Sequence, residues 1–304
     1  MPDWSEMVNE IQQCEVATTF DIARRKYLKK LSDYTKRNVI AYYSSWLNKQ
    51  PVQNLDINDS DMNGFMNCVH NMDCTKGLDL ILHTPGGSPV AAEAIVNYLR
   101  KKFSSDIRVI VPHLAMSAGT MIACSAKKII MGIQSSLGPI DPQFNGIPAY
   151  NIMSEFQEAK DDLLKNPANA PYWAIKLQQY PAAFMKTAID AIKLSTELVR
   201  EWLGSCMFDA KREEDKVIIN KIVSNLNEHD FSRVHNRHFN FDFCKKIGLL
   251  VDILENDDIL QDLVLSVHHA YVITFDSTPA VKIIENQEGK SFISALPPMS
   301  IPMR

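Results

Sequence analysis

Several features are missing from this 304-residue chain, and each absence closes a class of function. No run of 18 apolar residues occurs, so no membrane-spanning helix is expected. The six cysteines, at positions 14, 68, 74, 124, 206 and 244, include no C-x-x-C pair. They read as free thiols of a reducing cytoplasm rather than as a disulfide or zinc framework. Charge of one sign is not in excess: a net charge of −4 gives no electrostatic footing for nucleic acid or an anionic membrane. The opening MPDWSEMVNE is acidic and polar, unlike a signal peptide. Gly289-Lys290-Ser291 ends like a phosphate-binding loop, but Ile284 stands where its earlier glycine belongs. A metal site from His268, His269, His235 and His238 finds no support in carboxylate or cysteine spacing. The sequence therefore points to neither a metal nor another cofactor.

What is present is an ordinary globular composition, 46% hydrophobic and 22% charged, on a chain long enough to bury a sizeable core. Asn38–Tyr43, Leu78–His83, Ile107–Val111, Ile129–Met131 and Leu249–Leu254 read as strands. Leu78–His83 (LDLILH) is mostly apolar, as expected of a strand covered on both faces. Helical spacing predicts helices near 56–71, 88–103, 117–125, 155–164, 182–203, 215–227, 241–247 and 259–269. Residues 1–35 also read as helical, with Arg24-Arg25-Lys26 on a solvated face. Gly248 stands where a helix-ending glycine belongs. Strands alternating with helices imply a parallel sheet with right-handed crossovers. The segment from Asn286, with three prolines in its last eight residues, reads as an arm or as disordered.

Two strand–turn–helix units carry the chemical signal. The first turn, His83-Thr84-Pro85-Gly86-Gly87, offers backbone amides without side chains. The second, Ala115-Met116-Ser117-Ala118-Gly119-Thr120, presents a serine where a strand gives way to a helix. Hydrolysis of an amide by serine needs an activated hydroxyl and two donors facing the oxygen that becomes negative. Ser117 fits the first requirement, and the amides of Ala118 and Gly87 fit the second. The plainer reading makes Ser117 an N-cap and Gly86-Gly87 a turn, but the pairing on consecutive units argues against it. His83 and His113, beside the two turns, suit orienting the loop backbone. Tyr172, Trp173 and Tyr180 suit core packing or a substrate groove.

HTPGG, VPHLAMSAGT and SSLGPIDPQF, in that order, resemble the serine dehydrogenase proteinase family of Clp-fold peptidases, relatives of the Clp peptidase and of signal peptide peptidase A. The resemblance covers roughly residues 36–255. It implies an α/β fold, a spiral of ββα units shared with crotonases and carrying additional helices. That peptidase-like domain would follow an N-terminal helical extension (1–35) and precede a C-terminal helix and arm (256–304). It also implies a peptide-hydrolysing enzyme with Ser117 as nucleophile, Gly87 and Ala118 as the oxyanion hole, and a cytoplasmic homo-oligomer acting on peptide or protein. Whether a separate unfoldase feeds it is left open.

The general base departs from the Clp pattern. The family histidine would fall within Gly138–Pro142, where Ile140 and Asp141 stand, and the family aspartate would fall within 235–238, where His235-Asn236-Arg237-His238 stands. Two substitutes remain open. One is a desolvated lysine, with Lys160 at the expected interval and Lys165 and Lys193 behind it. The other is His235 or His238, oriented by Asp141. Rival readings are a crotonase-like acyl-thioester enzyme, a non-catalytic scaffold of the same fold, and a phosphate-binding loop at Thr84–Ser88.

Overall fold

A computed structural model describes residues 19–49, 52–144, 146–227 and 237–296. In chain order it contains α1 (Thr19–Thr35), β1 (Asn38–Ser44), α2 (Asp61–Val69), β2 (Leu78–His83), α3 (Pro89–Phe103) and β3 (Ile107–Val111). Next come β4 (Leu114–Ala115), α4 (Ala118–Cys124), β5 (Lys128–Met131), β6 (Ser136–Leu137), β7 (Gln143–Phe144) and β8 (Ile147–Pro148). Then follow α5 (Ala149–Lys165), α6 (Ala170–Leu177), α7 (Phe184–Trp202), α8 (Glu213–Asn227), α9 (Phe241–Ile247), β9 (Val251–Ile253), α10 (Asp258–Ser277), β10 (Ala280–Asn286) and β11 (Ser291–Ala295).

The main sheet has seven strands in the order β11-β10-β1-β2-β3-β5-β9. From β1 to β9 every neighbouring pair is parallel, and the five strands expected from the sequence stand side by side. β10 and β11 run antiparallel at one edge. Burial alternates along each strand and divides the core in two. Leu78, Leu80 and Leu82 of β2 face α3, α4, α8 and α9. Ile81 faces α1 and α10 on the other side. α5 and α7 meet around a smaller cluster of their own, Ala149, Ile152 and Ala188 with Phe144, Phe156 and Phe184.

Local chemistry explains the first crossover. Ser88 accepts a hydrogen bond from the Ala91 amide at 3.2 Å, and Pro89 follows at the first helical position. At the far end of α3, Arg100 does more than complement the helix dipole: its guanidinium donates to the carbonyls of Ser125 and Trp202. Gly248 ends α9 at φ 111°, as its position implied.

The C-terminal expectation needs correction. Asn286 does not begin an arm; it ends β10, which lies beside β1 inside the sheet, and β11 follows as the edge strand. β10 (AVKIIEN) is buried at every position despite its Lys282, Glu285 and Asn286. The charges are paired from remote sequence. Lys282 Nζ donates to Asp61 Oδ1 at 2.7 Å, both side chains being at most 1% exposed. Glu285 receives Arg24 Nε and Arg25 Nε, each at 2.9 Å. Arg24 is therefore buried rather than on a solvated face. Breaking such a buried pair by removing one partner costs about 3–5 kcal/mol, against about 0–1 for a surface pair.

Helices are also longer than their periodicity suggested. α5 begins at Ala149, and α10 continues to Ser277. Residues 1–18 of the expected N-terminal helix lie outside the described residues, as does His235.

Candidate active site

The two glycine- and serine-bearing turns meet at the C-terminal ends of β2 and β3. The strand pattern continues past His83: Thr84 N donates to Leu114 O and Met116 N to Thr84 O, both at 3.0 Å. The Gly86 amide donates to Thr84 Oγ1 at 3.1 Å. Gly86 has φ 100°, and a Cβ there would lie 2.6 Å from both Met116 O and Ser117 Cβ. Only a bare Cα permits that approach. Gly87 has φ 148°, and its Cβ would lie 2.4 Å from the backbone N and O of Ile57. Ile57 brackets this glycine, donating to Gly86 O at 2.7 Å and accepting from Ser88 N at 2.9 Å.

Ser117 is half-buried and held at φ 50°, ψ −117°. A non-glycine residue in so sparsely populated a conformation carries about 1–3 kcal/mol of strain, sustained only by a surrounding structure that over-determines it. A sharp strand-to-helix turn of this kind lifts a serine hydroxyl clear of the backbone. Among the described residues, Ser117 Oγ makes no hydrogen bond, and neither the Gly87 nor the Ala118 amide donates one. A cavity of about 380 Å³ opens in front of them. Met121, Ile140, Pro89 and Pro142 give it apolar walls, and Gln143 and Ser195 add polar groups.

The candidate helpers are placed unevenly. Asp141 is 1% exposed and sits between two cavity-lining residues, Ile140 and Pro142. Phe239 pairs antiparallel with Leu137, which sets His238 beside the segment leading to Asp141. His238 itself is exposed. Lys160 and Lys165 on α5 and Lys193 on α7 are exposed, and none lines the cavity. Trp173 is buried with its indole N–H on Asp162, and Tyr172 is exposed; neither reaches the cavity.

Sequence reasoning missed two contributors. Ser195, from the middle of α7, lines the cavity although it lies far along the chain from both turns; its one signal is a small polar residue on an otherwise apolar helix face. Ile57 clamps the glycine turn from a loop that carries no motif at all.

On the opposite face of the same strand ends lies a histidine cluster, with His83 buried and His113 and His268 half-buried. His83, His113 and His268 have ring centroids 5.3–5.7 Å apart, with Tyr43 and Trp46 packed against His83. The Leu114 amide donates to His83 Nδ1 at 3.4 Å, so this residue does orient loop backbone. Burial, reinforced by His268 and His113, pushes the His83 imidazole well below its ordinary pKa. Burial, then His113 and His269, brings His268 down to about 3. His113 is lowered by burial and by His238. Among the described residues no three His, Cys, Asp or Glu side chains are arranged to hold a metal ion. No described helix is long and apolar enough to cross a membrane.

Comparison with known proteins gives a family. A family model described as ClpP-like SDH-type serine proteinase matches residues 11–169, just over half of the chain and both turns. Two uncharacterized proteins of Methanocaldococcus jannaschii are similar. One is 39% identical over 145 residues, covering 46% of this chain and 50% of its own length. The other is 33% identical over 154 residues, covering 51% of this chain and 47% of its own. The chain thus spans about half the length of the curated relatives it matches.

Proposed function

We propose that this chain, which belongs to the ClpP-like SDH-type serine proteinase family, hydrolyses peptide bonds through an acyl-enzyme on Ser117. One observation carries the reading: the strained Ser117 and the unbonded amides of Gly87 and Ala118 face one cavity, brought together by two glycines that tolerate no Cβ. In the first step Ser117 Oγ attacks the scissile carbonyl carbon, and its proton passes to a base. The carbonyl oxygen becomes an oxyanion held by the two amides, each worth about 3 kcal/mol in the transition state. Collapse breaks the C–N bond, and the amine leaves with the proton from the base. Water then attacks the ester by the same route and frees Ser117.

The base is supplied when copies of the chain assemble. Among the described residues no lysine or histidine lines the cavity in one copy, and α5 carries Lys160 exposed next to the buried Ala159. Exposed Leu164, Tyr172 and Ile175 on α5 and α6 give that region a surface to bury against a second copy. Burial there would desolvate the Lys160 amine, the setting in which a lysine serves as a general base. His238 with Asp141 is the alternative, favoured by the position of His238 beside the β6 segment. The substrate is an unfolded peptide or protein segment in the cytoplasm, with or without a separate unfoldase.

The bare cavity also favours a second reading, a scaffold of this fold without catalysis. A fluorophosphonate probe separates the two. Covalent labelling at Ser117 that is lost in Ser117→Ala is expected of the peptidase; an unlabelled, folded wild-type protein overturns it.

A further inference from the structure

A buried charge network lies directly behind the oxyanion turn on the same face of the sheet as Ser117. Asp61 is fully buried and accepts three hydrogen bonds: from Lys282 Nζ at 2.7 Å, from the Tyr42 hydroxyl at 2.8 Å and from the Asn58 amide at 3.0 Å. Lys282 Nζ also donates to the Asp56 carbonyl at 2.7 Å. Residues 56 and 58 are thus held from below, one on each side of Ile57. Ile57 in turn holds Gly86 O and Ser88 N, one on each side of Gly87. A second branch reaches the turn through Tyr42, whose hydroxyl has the Thr84 side chain as a polar neighbour. Thr84 Oγ1 accepts the Gly86 amide at 3.1 Å.

We infer that Lys282, Asp61 and Tyr42 are positioning residues: their network fixes the Ile57 clamp and Thr84, and so sets the direction in which the Gly87 N–H points. The inference rests on the peptidase reading, in which that N–H meets the oxyanion. Its physical basis is the expense of burying a charge pair. Lys282 and Asp61 come from β10 and α2, so the pair joins the antiparallel edge of the sheet to the loop before α2. An apolar pair would fill the same space without directing a backbone carbonyl and amide. Only a group with several donors or acceptors in fixed directions can aim the Asp56 carbonyl and Asn58 amide while satisfying itself. Gly87 needs this aim, because a glycine has no side chain through which its neighbours could hold it.

The test is the kinetics of fluorophosphonate labelling of Ser117, resolved into binding (KI) and reaction (kinact), alongside the thermal midpoint. Lys282→Met is expected to lower kinact about tenfold to a hundredfold with KI nearly unchanged. Tyr42→Phe is expected to lower it less. Ile57→Pro, which deletes the donor to Gly86 O, is expected to act like Lys282→Met. Combining it with Tyr42→Phe is expected to give less than the product of the two effects, since both act on one turn. Val264→Ala, a truncation in the core on the other face, is the control: a lower midpoint with kinact unchanged. If Lys282→Met fails to fold, Tyr42→Phe and Ile57→Pro carry the test. Folded variants that label as fast as wild type overturn the positioning role and leave the peptidase standing. A wild-type protein that does not label at Ser117 overturns the peptidase reading itself.

Discussion

His83 and Gly86 are three residues apart, yet they open onto opposite faces of one sheet and into opposite kinds of environment. On the Ser117 face the Ser117 hydroxyl and the Gly87 and Ala118 amides make no hydrogen bond among the described residues, the backbone at Ser117 is strained and a cavity opens in front of them. On the His83 face imidazole and aromatic rings pack on one another and are held neutral by burial. The contrast teaches that histidines adjoining a serine in sequence need not serve it. Alternation along β2 sends Leu82 and His83 to different sides, and the side is decided before chemistry enters. One face is left open at the turns and the other is packed with rings, and both meet in the same two turns.

The largest effect expected from breaking this contrast is on the reactive face. Ser117→Ala should abolish probe labelling and peptide hydrolysis, while leaving the thermal midpoint within a few degrees of wild type. Loss of folding in that variant would mean the strained turn is structural. Next, Lys160→Ala and His238→Ala should differ sharply: whichever removes the base should lower kcat by about 10²–10⁴-fold, and the other should leave it close to wild type. Equal and small effects in both would remove both candidates. Gly87→Ala should cost about 10²-fold in kcat by displacing one oxyanion donor. Because its Cβ meets Ile57 backbone at 2.4 Å, that variant should also lose stability, measurable by denaturant unfolding.

The smallest effect belongs to the His83 face and is a dependence on pH. His268 is depressed from the ordinary 6.5 to about 3, so the unfolded chain takes up a proton more readily than the folded one below that ordinary value. Its contribution to stability is therefore complete above pH 6.5 and is lost progressively as pH falls from there toward about 3. Thermal midpoints of wild type should fall across that window, and His268→Phe should fall less steeply. A parallel pair of curves would show that the cluster does not set acid stability.

Legibility in the sequence followed the range of the interactions. β1, β2, β3 and β5 were readable because parallel strands buried on both faces are written as apolar runs; β9, a half-exposed edge strand, follows just after the helix-ending Gly248. The two turns were readable because glycine and a serine at a strand–helix junction are local signals. α5 and α10 were read too short, since their ends pack against partners that no periodicity records. The base was not readable, because Ile140 and Asp141 stand where the resemblance would place the histidine, and a histidine-rich segment stands where it would place the aspartate. Ser195 and Ile57 reach the site only through folding, from a helix and a loop without motifs.

The sequence by itself determined the parallel α/β core and the pairing of a glycine turn with a serine turn, because the strand–turn–helix units that carry them are local. β10 marks the limit. Lys282, Glu285 and Asn286 interrupt its apolar run, and no strand is read there from the sequence, yet it is wholly buried inside the sheet. Lys282 is made tolerable by Asp61 on the serine face and Glu285 by Arg24 on the other, each more than 200 residues away. Only the tertiary structure decided this, because a buried charge is stable solely where its partner arrives, and that arrival is a property of the fold rather than of the segment.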